Sequence, residues 1–386
     1  MTEPFHFQPK GRLIDFMRQA EQPGIINLAA GVPGMDALPG DELHTAFENA
    51  FRKRRAGLFA YHHPEGDIPL RQLLAERLKQ RGANVEGKDI LTTTGCQQGL
   101  QLMVTLLVKP GDVVACQVPM YYALLELISA AGAKILPIPE HETEGIDVVA
   151  LETALRQWKP KCLFLCPTLS NPSTLTLGEA KREQIVKICR EAKVRIVEDD
   201  IYAELVEAGA PKPMRAFDDG TTVSYVSSYS KCIAPGLRTG FCLPGDLFEQ
   251  TATLKCQQDM HSCVVSEGIL RAFLEMRYMD GHLARLRPRN AQRLDFAMDA
   301  IAKHFPQETK VKRPVGGYML WVDLPEGCDV AAVAVRAKEK GVVFAGGDVF
   351  FPGENKRAAL RLNCSKADHS DLVRGIQILA GALTTC

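Results

Sequence analysis

The sequence lacks several things, and each shortage removes a class of function. It has no excess of either charge, with 46 basic and 46 acidic side chains in 386 residues, so there is no electrostatic case for a nucleic-acid or anionic-membrane partner. No apolar run approaches the roughly 20 residues of a membrane span. The opening, Met1 to Phe16, has no apolar core of the kind a secretory leader needs. There is no CxxC pair and no Cys/His ligand spacing, so no metal centre is expected. Neither GxGxxG nor GxxxxGK[ST] occurs, which leaves dinucleotide and P-loop nucleotide binding without their usual support. Internal repeats and low-complexity tracts are also missing.

What is present is ordinary in bulk. The chain is 46% hydrophobic and 24% charged, as globular chains are, and its length calls for two domains rather than one small core. The 12 cysteines are scattered and read as free thiols, several of them packed in the core, with Cys162 and Cys166 on one buried apolar run. With no leader, that usage points to the cytoplasm. The basic run from Phe51 to Gly57 reads as a solvated helical face.

From about residue 90, short apolar runs alternate with amphipathic stretches. "DVVACQVP", "KILPIP", "KCLFLCP" and "VRIVEDD" read as strands. "YYALLELISAAGA", "DVVALETALRQW" and "LGEAKREQIVKICREAK" read as helices. Continuous apolar strands separated by helices imply a mostly parallel sheet covered on both faces, an α/β three-layer domain. Near Gly281 the alternation gives way to a long helical segment and then to short strands such as "GGYMLWVDL" and "AALRLNCS". The expected division is a large domain over 46–280 and a smaller α+β domain built from 1–45 and 281–386.

Ligands of such sheets gather beyond the carboxyl ends of the strands, and four stretches there carry chemistry. In "TTTGCQQGLQ", Gly95, Cys96 and Gln97 open a helix whose free amides and dipole suit a phosphate. "EDDIY" puts a buried acid, which needs a cation or donors, near a tyrosine, so Asp199 and Tyr202 can converge on one heteroaromatic ligand. "SNPST" presents the amide of Asn171 from a stiff turn. "SSYSKCIAPGLR" sets Lys231 among Ser228 and Ser230, with Arg238 as a fork for phosphate. A neighbouring cation and partial burial lower a lysine's pKa and make its amine a nucleophile or base. A phosphate cup, an acid for a protonated ring nitrogen and an activated lysine are together what pyridoxal 5′-phosphate requires.

On these residues the chain resembles the fold-type I, pyridoxal-phosphate-dependent class I/II aminotransferases. The S-x-S-K-x-x-x-P-G-x-R signature stands as Ser228 to Arg238, D-x-x-Y as Asp199 and Tyr202, and Asn-Pro as Asn171-Pro172. The resemblance implies an aspartate-aminotransferase-like fold and makes Lys231 the Schiff-base lysine. It puts Asp199 on the pyridine nitrogen, and Asn171 and Tyr202 on the ring oxygen. Ser228, Ser230, Arg238, Gly95, Cys96 and Gln97 go to the phosphate, although Cys96 replaces a small or hydroxyl residue. Tyr121 in "PMYY" becomes the ring-stacking aromatic, with Tyr122 the second candidate. Arg361 in "LRLNCS" becomes the clamp for the substrate α-carboxylate, with Gly31 on the loop beside it. "YHHPEG" brings Tyr61 to the neighbouring subunit's phosphate, hence a homodimer.

The branch most similar holds 2-aminoadipate and kynurenine aminotransferases and the aminotransferase-like domains of MocR-type regulators. The catalytic pattern begins close to the first residue, which argues against the regulator. The expected partners are an α-amino acid (neutral, aromatic or aminoadipate-like) and a 2-oxo acid such as 2-oxoglutarate. The rival readings are a cysteine-conjugate β-lyase and a non-catalytic pyridoxal-phosphate sensor. No second arginine for a distal carboxylate is identifiable, though Arg12 and Arg18 lie in a region that borders the site in the family.

Overall fold

A computed structural model describes residues 3–8, 14, 17, 18, 21–353 and 357–383; Arg12 lies outside them. Among the described residues the main sheet has nine strands. Its path runs Phe5–His6, Lys134–His141, Val113–Val118, Cys162–Leu165, Arg195–Asp199, Val223–Ser228, Gly240–Leu243 and Leu91–Thr93, with Gly145–Ile146 paired on Lys134–His141.

The central five strands are parallel, as the run of apolar strands separated by helices implied. The flanks are not. Gly240–Leu243 runs antiparallel to both of its neighbours, because the short segment 229–239 reverses the chain without the crossover helix that a parallel return needs.

The strands are buried on both faces by alternate residues. Val114, Cys116, Phe164 and Val197 pack into one apolar cluster, while Ala115, Leu163, Leu165 and Ile196 pack into another on the opposite face. This is the period of two expected of a strand with helices on each side. Among the described residues ten cysteines are free thiols, whereas Cys328 is disulfide-bonded, contrary to the expectation for it.

A second sheet of four strands, ordered Lys310–Val311, Met319–Asp323, Ala359–Asn363 and Ala345–Gly346, has its own apolar core. The helix Tyr278–His304 serves both cores. Met279, Leu283 and Leu286 pack with the helices of the main domain, while Leu294, Ala297, Ala300 and Ile301 pack under the second sheet. Ile26 and Leu28 join the second core, and the segment after them crosses back toward the first. The loop Ala29–Gly34 is therefore strung between the two bodies, over the strand ends.

Candidate active site

The sheet's geometry explains why the chemistry-bearing residues meet. Strands Val113–Val118, Cys162–Leu165, Arg195–Asp199 and Val223–Ser228 run in one direction, so Tyr121, Asn171, Asp199 and Lys231 all follow or end strands at one edge. Leu91–Thr93 also ends there and hands over to the helix Cys96–Leu107 through Gly95. Gly240–Leu243 runs the other way, so its beginning, not its end, lies at that edge, and Arg238 just before it arrives beside Gly95.

The edge encloses a cavity of about 330 Å³ whose lining includes Gly31, Cys96, Gln97, Tyr121, Asn171, Asp199, Tyr202, Ser228, Ser230, Lys231, Arg238 and Arg361. Gly95 is the N-cap of the helix whose first residues, Cys96 and Gln97, are on that lining. Tyr61 is elsewhere, 84% exposed, with its ring edge-on to His261. A larger depression of about 580 Å³ over Ile68, Arg71, Glu86 and Lys88 brings together no such set.

At one end of the cavity the donors suit a phosphate. Gly95 has φ +79°, and a Cβ there would lie 2.4 Å from Arg238 Nη2. The arginine can cover the helix start only because that residue is glycine. Arg238 Nη2 donates to Thr94 O at 3.2 Å, and the Ser230 N–H donates to Ser228 Oγ at 3.2 Å. Both serines are nonetheless on the lining.

In the middle, Asp199 is 8% exposed and accepts at Oδ1 from the Cys96 thiol at 3.4 Å and the Ile201 N–H at 3.3 Å. Burial pushes its pKa up to about 6, against the pull of those two donors. Lys231 Nζ donates to the Gly31 carbonyl at 2.6 Å. Burial of the ammonium, and then the nearby Arg361 cation, bring its pKa down to about 8.

At the far wall Arg361 is 3% exposed. Its Nη1 donates to Asn171 Oδ1 at 2.6 Å, its Nη2 donates to Ala29 O, and its guanidinium lies 5.0 Å from the Phe350 ring centre. No ion pair to it occurs among the described residues, and its Nε has no hydrogen-bond partner. A buried, fixed cation without a counter-ion is costly. Beside a cavity, this is the signature of a site for an anionic ligand. The residues thus fit pyridoxal phosphate and an amino-acid carboxylate at separate ends: fork and amides for phosphate, an acceptor-only carboxylate for a ring N–H, and an amine of lowered pKa between them.

Comparison with known proteins gives the family and the cofactor. Residues 23–379 match the family described as aminotransferase class I and II. The chain belongs to that family. Among curated proteins, this aminotransferase is 29% identical over 374 residues to aromatic-amino-acid aminotransferase 1 of Thermococcus litoralis, covering 95% of this chain and 89% of that protein. It is also 29% identical over 366 residues to the uncharacterized HTH-type transcriptional regulator YjiR of Escherichia coli, covering 95% of this chain and 78% of the regulator.

Among solved structures, LysN, the α-aminoadipate aminotransferase of Thermus thermophilus complexed with N-(5′-phosphopyridoxyl)-L-leucine, superposes with a TM-score of 0.88. That pair is 27% identical, and the match covers 96% of this chain and 94% of the other. The aminotransferase therefore has the fold-type I architecture, and its cofactor is pyridoxal 5′-phosphate.

Sequence reasoning passed over other lining residues of the aminotransferase's cavity. Cys166 directly follows a strand end and Ile201 stands two residues past one, so the rule that found Asn171 and Asp199 also reaches them. Lys366 reaches the lining from the turn after Ala359–Asn363, and Tyr318, just before Met319–Asp323, donates its hydroxyl to Gly31 O at 3.4 Å without lining the cavity itself. No local pattern marks either one.

Proposed function

We propose that this aminotransferase takes a neutral, aromatic or aminoadipate-like α-amino acid as donor and a 2-oxo acid such as 2-oxoglutarate as acceptor. The observation that carries the reading is the uncompensated Arg361 guanidinium facing the cavity that also holds the Lys231 amine. The cofactor, when bound, supplies an electron sink that lets the amino acid's Cα–H bond break.

The chain's own residues do the rest. Ser228, Ser230, Arg238 and the amides from Gly95 to Gln97 hold the phosphate and make no bonds in the reaction. Asp199, ionised above about pH 6, keeps a proton on the ring nitrogen. Asn171, whose Oδ1 is engaged by Arg361, keeps its amide NH₂ available and would donate it to the ring oxygen, as the Tyr202 hydroxyl on the same lining would. Tyr121, on the lining, would pack on the ring face. Arg361 grips the α-carboxylate, with the Gly31 loop behind it, and so orients the Cα–H bond. Lys231 Nζ, with its pKa near 8, takes the Cα proton and returns it.

The site also supports a homodimer in which Tyr61 completes the neighbour's phosphate site. Phe47, Phe51, Phe59, Tyr61 and Ile68 are all exposed on adjoining segments, and the rings of Phe47, Phe51 and Phe59 touch in series. So many exposed large apolar groups in one region mark an interaction surface.

The test is the absorption spectrum of the cofactor-loaded protein, titrated with single amino acids in the absence of any oxo acid. Conversion to the pyridoxamine form with release of the matching 2-oxo acid is expected, and the most effective amino acid names the donor class. Release of pyruvate from a cysteine conjugate without that conversion identifies a β-lyase. A spectrum unmoved by a broad panel overturns the reading in favour of a sensor.

A further inference from the structure

The helix Tyr278–His304 turns Met279, Leu283 and Leu286 to the main core, and His282 lies on that same face, at the spacing of three and four that a helix imposes. The histidine is 4% exposed, and a buried imidazole needs partners. Its Nε2 lies 2.5 Å from the carbonyl oxygen of Cys232. A carbonyl only accepts, so the ring carries a proton on Nε2. Burial holds its pKa below that of an ordinary histidine and Arg285 adds to the effect, while the Cys232 carbonyl and Glu42 oppose it. Asp36, Asp41 and Arg289 are the other charged groups around the outer cavity, of about 360 Å³, that the ring also borders.

Cys232 directly follows Lys231. The chain there makes one tight turn, in which the N–H groups of Cys232, Ile233 and Ala234 all donate to the Tyr229 carbonyl, at 3.3, 2.8 and 3.3 Å. A continuing turn would offer the Cys232 carbonyl a donor three residues on, but that residue is Pro235, which has no N–H. His282 supplies what the proline cannot. Lys231 is thereby held at both ends, its root through His282 and its Nζ by the Gly31 carbonyl at 2.6 Å. The imidazole is itself set by a neighbouring helix, Val264–Glu275, whose Phe273 ring it meets edge-on at 6.4 Å between centres.

We infer that His282 is a positioning residue for amino-group transfer: by donating to the Cys232 carbonyl it fixes the root of Lys231 and so keeps the amine aimed into the cavity. The inference rests on the reading of Lys231 as the group that carries the Cα proton. His282 is not on the lining of that cavity, so it acts only through the lysine. A lysine's stem is long and flexible, and its head keeps one place only if its root does. A base must lie within hydrogen-bond reach of the proton it takes, and an error of about 1 Å can cost about a hundredfold in rate. Met279, Leu283 and Leu286 show that an apolar side chain suits this helix face. A histidine among them is explained by the carbonyl it serves.

The experiment compares His282→Phe, which keeps a ring and loses the donor, with His282→Gln, whose amide N–H can stand where Nε2–H does. Cofactor-free protein of each kind is mixed rapidly with pyridoxal phosphate across pH, and steady-state transamination is then measured. In His282→Phe, kcat should fall by about tenfold to hundredfold, with KM for the amino acid within about twofold because Arg361 still grips the carboxylate. The inflection of cofactor capture should move upward from about 8, since a loosened amine reaches water, and capture at pH 7 should slow by about threefold to tenfold. His282→Gln should keep most of the wild-type kcat and inflection. Nitrogen NMR of the wild type should show a neutral His282 ring protonated on Nε2, in a signal that is missing from both variants and shifts when the cofactor joins Lys231. A His282→Phe protein with wild-type kcat and inflection overturns the inference, as does a His282→Gln protein equally impaired. A ring protonated on Nδ1, or a signal indifferent to the cofactor, overturns it even if His282→Phe fails to fold. A wild type that captures the cofactor yet transfers no amino group overturns the proposed function instead, and the contrast between the two variants in capture still decides the role of His282.

Discussion

The pKa of Lys231, about 8 rather than 10.5, makes a prediction that reaches the centre of the mechanism. A group whose folded pKa is lowered carries its free amine above that value and loses it as the pH falls through it. At pH 7 a lysine of pKa about 8 is roughly one-tenth unprotonated, against roughly 0.03% at an ordinary pKa, a gain of about 300-fold in available nucleophile. The perturbation is pH, and the assay is rapid mixing of cofactor-free protein with pyridoxal phosphate, following the lysine-linked absorption band. The capture rate should rise about tenfold per pH unit up to about 8 and then level. Burial is the larger cause and the Arg361 cation the second, so Arg361→Gln should move the inflection upward without restoring that of a free lysine. A rate that keeps climbing through pH 9 and 10 in the wild type would refute the reasoning. It would mean that the amine is not desolvated in the state that reacts.

Two further outcomes are expected. A Cβ on Gly240 would lie 2.5 Å from Gly95 C and 2.8 Å from Cys96 N, backbone atoms that cannot swing aside. Gly240→Ala should therefore cost about 1–3 kcal/mol in urea unfolding and weaken cofactor affinity by displacing the helix start; wild-type values for both would show that the strand yields without moving the phosphate cup. For the dimer, Lys231→Ala and Tyr61→Phe subunits should each be impaired alone. Mixing them should recover activity, because one site of the hybrid then has its own lysine and a partner's intact tyrosine. No recovery on mixing would place Tyr61 outside the neighbour's site.

Much of the site is legible in the sequence because it is local to strand ends. Asn171 follows and Asp199 ends an apolar run that reads as a buried strand, whereas Lys231, after the half-serine strand Val223–Ser228, is marked by its serine and arginine neighbours; parallel strands deliver their ends to one edge. Arg361 is readable only in part: a strand arginine is usually solvated, and its burial depends on the second sheet closing over Ala29 and Asn171. Lys366 and Tyr318 are invisible for the same reason, since nothing near them in the chain says which loop they will face. The reversal at 229–239 and the helix shared by two cores are likewise tertiary facts. An amphipathic pattern records which face is apolar, but not that the first half of Tyr278–His304 serves one core and the second half another.

The stretch Glu198-Asp199-Asp200 shows how a local rule can decide what composition cannot. Three successive acids at a strand end give no reason by type to prefer one, and Asp200 is the more deeply buried, at 1% against 8% for Asp199. The pleat separates them. Glu198 turns to one side, where it accepts the N–H groups of Met214 and Arg215 and lies 3.8 Å from Arg182 Nη1. Asp200 is saturated by Arg81 at 2.7 Å, Tyr225 at 3.1 Å and Thr168 at 2.5 Å. Both are structural: their charges are matched where they stand, and removing a partner would leave a buried ion uncompensated. Asp199, between them, points the other way and has only a thiol and one N–H. A buried carboxylate so weakly served belongs to a site whose missing donor comes from a ligand. A ring N–H at that position would draw its pKa back down from about 6, so cofactor and acid each stabilise the charged form of the other.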